Sequence, residues 1–136
     1  MEKLIDRVKH HEGFRSKVYK CTEGFDTIGY GFAIKDLVLE EDIAEQILMD
    51  KLDHLGVRID KNFPWLEMAP EEVREVLIEM AYQMGVSGVS KFKKALKFME
   101  HHNWTRAAEE MLDSKWHRQT PNRAKDLSEI VRSLDE

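Results

Sequence analysis

Between Pro70 and Gly85 the apolar residues Val73, Val76, Leu77, Met80, Ala81 and Met84 recur three, four, seven, eight and eleven positions after the first. That spacing commits the segment to an α-helix with a continuous apolar face. Pro70 suits its first position, Glu71 and Glu72 its first turn, and Gly85 its end. Ile78 leaves little polar surface opposite, so the helix is expected to be mostly buried and the rest of the chain must surround it. Shorter helices are expected over about 86–91, 92–101 and 104–112, with Asn103 capping the last. Its inner face reads Trp104, Ala107, Ala108, Met111 and Leu112. Thr120-Pro121 reads as N-cap and first residue of a final helix, with Ala124, Leu127, Ile130, Val131 and Leu134 inward.

The pattern changes upstream. Leu4, Ile5 and Val8 set a short amphipathic helix that stops near His11 or Glu12, before Gly13. Residues 14–34 then carry strand formers (Val18-Tyr19, Phe25, Thr27-Ile28) punctuated by Gly24, Gly29 and Gly31. They read as a small antiparallel hairpin or three-stranded sheet, with the first turn at Lys20 to Gly24. From Leu39 the helical period returns through Ile43, Ile47, Leu48, Leu52 and Leu55, with Gly56 as a C-terminal stop. Such a helix is long enough to join two lobes. The fold class is therefore α+β: a small N-terminal β-hairpin lobe linked by a long helix to a larger helical lobe. The 136 residues are expected to form one domain, its lobes at about 13–57 and at 1–12 plus 58–136.

Composition narrows the partners. Apolar residues make up 42% and charged residues 35%, and no run approaches the ~18 apolar residues that would span a membrane. No stable membrane insertion is expected, and Met1 to Arg7 lacks the continuous apolar stretch of a signal peptide. A net charge of −5 argues against nucleic acid as a partner. One cysteine excludes an internal disulfide. The six histidines include the adjacent pairs His10-His11 and His101-His102, whose side chains diverge on a helix, so no metal site and no cofactor are expected. Lys91, Lys93, Lys94 and Lys97 crowd one stretch, either as a basic patch or as a solvated helix face.

Eight residues separate Glu12 from Cys21, and five separate Cys21 from Thr27. Together with the blocks Glu12-Gly13-Phe14-Arg15, Thr27-Ile28-Gly29-Tyr30-Gly31, Tyr82-Gln83-Met84-Gly85 and Gln119-Thr120-Pro121-Asn122-Arg123-Ala124-Lys125, this spacing resembles the phage lysozymes of the T-even coliphage type, in glycoside hydrolase family 24. The resemblance covers most of the chain but is poor over about 33–62. It implies a lysozyme-like fold and an endolysin that hydrolyses the β-1,4 bond between N-acetylmuramic acid and N-acetylglucosamine in peptidoglycan. It also implies a monomer, made in the host cytoplasm and released across the inner membrane with the help of a holin.

The resemblance assigns catalytic positions to Glu12, Cys21 and Thr27, and substrate-binding positions to Ala33, Tyr82, Gln83, Ala95 and Glu110. Glycoside hydrolysis needs a proton donor, the role of Glu12, and a means of activating water or stabilising an oxocarbenium-like centre. Thr27 would orient the water. The family usually has aspartate where this chain has Cys21, although some related phage lysozymes also carry cysteine. Three readings stay open: Cys21 acts as a thiolate, helped by Lys20; Cys21 is tolerated while Glu12, Thr27 and other carboxylates supply the rate; or the chain binds wall without cleaving it. Strand alternation points the nearby Asp26 away from Thr27. Chitin or chitosan is the alternative substrate. Phe32 replaces the family's histidine after the Gly-x-Gly turn, so an ion pair there gives way to packing. Ala95 and Glu110 depart from the coliphage residues, whereas Gln119, Asn122 and Arg123 match them.

Overall fold

A computed structural model describes residues 2–135. Among the described residues the chain is largely helical with one small antiparallel sheet, the α+β class expected from the sequence. It divides into two compact units, Met1–Ala44 and Glu45–Glu136. The first helix falls in the same unit as the sheet.

In the first unit, α1 (Glu2–Glu12) ends where Gly13 takes a φ of +72° and donates its N–H to the Lys9 carbonyl at 2.8 Å. The sheet follows in the order β1 (Arg15–Lys20), β2 (Asp26–Gly29), β3 (Phe32–Ala33). Tyr19 pairs with Thr27 and Lys20 with Asp26; across the other edge of β2, Thr27 pairs with Ala33 and Ile28 with Phe32. The β1–β2 turn closes through Gly24 N–H to the Cys21 carbonyl and Cys21 N–H to the Phe25 carbonyl, both 2.9 Å. Gly24 sits at φ +84°, a conformation that favours glycine. A single 3₁₀ turn, Ile34–Asp36, follows the sheet.

Helix α2 spans Glu41–Asn62, past the expected stop at Gly56. Gly56 is buried inside the helix because Arg74 of the next helix crosses it: a Cβ there would stand 2.6 Å from the Arg74 Nη2. The glycine serves close approach, not termination. The Ile43, Ile47 and Leu48 stripe remains exposed, and the buried side chain of α2 is Ile59.

In the second unit a 3₁₀ segment, Pro64–Met68, leads to α3 (Glu71–Ser90). Gly85 breaks α3 at φ +79°, ψ +161°, so the helix expected over 70–84 and the short one expected after it adjoin across a kink. Pro70 lies one residue outside, at the N-cap. Helices α4 (Lys93–Glu100), α5 (Trp104–Leu112), α6 (Lys115–Gln119) and α7 (Pro121–Arg132) complete the unit, followed by a 3₁₀ turn. Asn103 caps α5 by accepting from the Arg106 N–H, and Ser114 caps α6 in the same way through His117. The core joins Val73, Val76, Leu77 and Met80 of α3 to Met99, Met111, Leu127 and Val131. Ile130, expected inside, is exposed. No helix among the described residues is long and apolar enough to cross a membrane.

Candidate active site

Glu12 is the last residue of α1 and is exposed. Its carboxylate lies against Gly31, in the turn between β2 and β3: a Cβ at position 31 would come within 2.5 Å of Glu12 Oε2. Gly29 and Gly31 both sit at positive φ, +70° and +77°. The two glycines therefore have distinct uses. Gly31 leaves room for the carboxylate, and Gly29 leaves room for the Phe32 ring, whose nearest carbon would be 2.7 Å from an added Cβ. Phe32 also meets Tyr30 edge-on at 6.4 Å, and Tyr30 packs on Phe14 at 5.4 Å. Aromatic packing occupies the place of the family's histidine.

Thr27 is one of two buried polar residues in the chain's described part, only 4% exposed. Its hydroxyl donates to the Phe25 carbonyl at 2.9 Å. With that proton engaged, its lone pairs are left to accept from another donor. Cys21, half-buried, stands at the start of the same turn. Its thiol is held below its ordinary pKa, first by the backbone amide of Phe25, then by that of Glu23. Burial and the Glu23 carboxylate act in the opposite direction and are outweighed. Hydrogen bonds to a thiolate favour the charged form. Lys20 does not have the part the sequence suggested for it, because its ammonium pairs with Asp26 at 2.7 Å. The same pair occupies Asp26.

Of the positions assigned to substrate, Ala33 faces Thr27 across the β2–β3 ladder. Gln83, Ala95 and Glu110 come together in the second unit, lining one cavity of about 710 Å³ with Phe92 and Trp116. Gln83 accepts from the Trp116 indole N–H at 2.8 Å and reaches the Thr120 hydroxyl at 3.4 Å. Tyr82, although next in sequence, lines a different cavity, between α2 and α3, with Leu52, Ile78 and Arg123. There Arg123 pairs with Glu79 at 2.9 Å. Sequence reasoning missed the Glu23 and Phe25 amides and the seat that Gly31 provides. The Gly-x-Gly spacing was the one sign of the latter.

A helical chain with a three-stranded hairpin, and a carboxylate, thiol and threonine gathered around that hairpin, fits the lysozyme class. The chain belongs to the phage lysozyme family, whose model matches residues 9–133. It is 30% identical over 158 aligned positions to "Probable T4-type lysozyme 1" of Dictyostelium discoideum, covering 94% of this chain and 92% of that protein. Identity to "Probable T4-type lysozyme 2" of the same organism is 33%, over 89% and 88% of the two chains. The "Pre-baseplate central spike protein Gp5" of Enterobacteria phage T4 is 28% identical over 94% of this chain but only 27% of its own length. Family membership makes the chain a glycoside hydrolase of the lysozyme kind.

Proposed function

We propose that the chain hydrolyses the β-1,4 bond between N-acetylmuramic acid and N-acetylglucosamine in peptidoglycan, with Glu12 as proton donor and Cys21 as thiolate base. The observation that carries this reading is geometric: the Glu12 carboxylate is seated against Gly31, and Cys21 opens the turn that leads into buried Thr27 of the same sheet, where the backbone at Phe25 and Glu23 lowers the thiol pKa. In this mechanism water attacks the anomeric carbon as the bond to the glycosidic oxygen breaks. The leaving oxygen takes the Glu12 proton, and the thiolate takes a proton from the attacking water. Thr27 holds that water by accepting from it, its own proton being on Phe25. Attack by water gives inversion. Because Glu12 is exposed, the exclusion of water that a proton donor needs falls to the bound glycan. The biological setting we propose is lysis of a bacterial wall by a monomer that a holin releases across the inner membrane.

The test is turbidity loss of permeabilised cells with wild type, Glu12→Gln, Cys21→Ala and Cys21→Asp, each across pH. Loss of a general acid costs on the order of 10²–10⁴ in rate, and Glu12→Gln is expected in that range. Full lytic activity in Glu12→Gln sinks the assignment of the proton donor. Full activity in Cys21→Ala sinks the thiolate. If Cys21→Asp matches wild type, the position requires negative charge and not sulfur.

A further inference from the structure

The cavity that collects Gln83, Ala95 and Glu110 is also lined by Lys91, Lys93, Lys94 and Lys115. Four ammonium groups around one cavity are unexpected in a chain of net charge −5. The arginines with ion pairs in this unit find them close by: Arg74 with Asp60 and Glu71, Arg106 with Glu109, Arg123 with Glu79 and Arg132 with Glu129. None of the four cavity lysines makes such a pair among the described residues. Glu110 and Asp113 are the carboxylates in the lining, so the positive charges outnumber the negative two to one. Lys97, on the same helix, does not line the cavity.

Helix α4 adds to this arrangement. It begins without a side-chain cap, and Lys93 and Lys94 stand in its first turn, where the helix dipole favours acids. An anion in the cavity relieves that conflict. The kind of anion follows from the donors. No arginine lines the cavity, so the planar fork that best matches a carboxylate is missing, whereas ammonium groups act as point charges suited to phosphate. A phosphomonoester carries about −1.5 to −2 at neutral pH, against −1 for a carboxylate. Half-buried Phe92, edge-on to Trp116 at 5.7 Å, offers an apolar face to whatever carries the phosphate.

We infer that this cavity binds a phosphate group carried on a saccharide. Such a site would hold an acidic enzyme to a phosphorylated polymer by a contact separate from the bond being cleaved. Binding is read without turnover, so the outcome is independent of the wall-cleaving reading. The full ¹⁵N-labelled chain is titrated at fixed ionic strength with glucose 6-phosphate, and in parallel with glucose, inorganic phosphate and glucuronate, following the Trp116 indole resonance. A saturable shift is expected with glucose 6-phosphate, at lower concentration than with any of the other three. Lys91→Gln/Lys94→Gln should weaken it roughly tenfold or more, and Lys97→Gln should leave it unchanged. All three lysines are exposed, and an unchanged thermal midpoint verifies that the variants fold. Equal binding of glucuronate overturns the phosphate assignment, and equal binding of inorganic phosphate overturns the saccharide. Equal weakening by Lys97→Gln, or no saturable shift, overturns the site.

Discussion

Gly31→Ala isolates the geometry of the proton donor proposed above, Glu12. The added methyl would stand 2.5 Å from Glu12 Oε2 and 3.1 Å from Cδ, and the backbone keeps φ +77°. A left-handed conformation costs a non-glycine residue about 1–2 kcal/mol. Restoring an ordinary contact of ~3.5 Å moves the carboxylate by about 1 Å, and a displacement of that size costs on the order of 10² in rate. Gly29→Ala is the matched control. It has nearly the same backbone strain, φ +70°, but its methyl meets the Phe32 ring and not Glu12. Trp65, Trp104 and Trp116 all lie in the second unit, so tryptophan fluorescence does not report on this turn. Hydrogen exchange of the β1–β2 amides measures local stability, and release of reducing ends from purified wall measures turnover. Both variants should lose similar protection, with Gly31→Ala losing a further factor of about 10² in turnover. If the two lose activity in proportion to protection, with Gly31→Ala no worse, the seat of Glu12 on Gly31 has no part in catalysis.

Alkylation of Cys21 by iodoacetamide should follow a pH curve whose midpoint lies below that of a free thiol, since the Phe25 and Glu23 amides favour the thiolate. Lytic activity should rise through the same midpoint as pH increases, because a lowered pKa makes the charged form available earlier. Thr27→Val should reduce turnover by removing the acceptor for the attacking water while leaving that midpoint in place, measured side by side with wild type. Met111→Ala, at a position fully shielded from solvent, should cost about 2–5 kcal/mol in urea unfolding followed by tryptophan fluorescence. Trp116→Phe should cost about 0.5–1.5 kcal/mol by removing the hydrogen bond to Gln83, whose exposed amide is then served by water.

Periodicity made the helical unit legible. The spacing of Val73 to Met84, the Asn103 cap and the Thr120-Pro121 start all report local physics, and the structure places helices accordingly. Gly56 was misread because a glycine that ends a helix and one that lets an arginine pass look alike in sequence. The Ile43 to Leu48 stripe shows that helical period alone does not decide burial. In the candidate site, the spacing of Glu12, Cys21 and Thr27 pointed to one hairpin. What sequence could not supply was the electrostatics of Cys21, because its effective partners are backbone amides, which every residue has, and not the neighbouring lysine.

The amide cradle of Cys21 has a consequence for handling. A thiol that yields its proton readily is also the group most readily oxidised, first to sulfenic acid and then beyond recovery. This chain has no second cysteine to rescue it by disulfide exchange. On the thiolate mechanism proposed above, catalytic lifetime in air is set by oxidation chemistry at one sulfur while the helices remain folded. By that mechanism, preparations that retain full helicity lose activity with the thiol, and titration of the free thiol, not circular dichroism, counts the molecules still able to turn over.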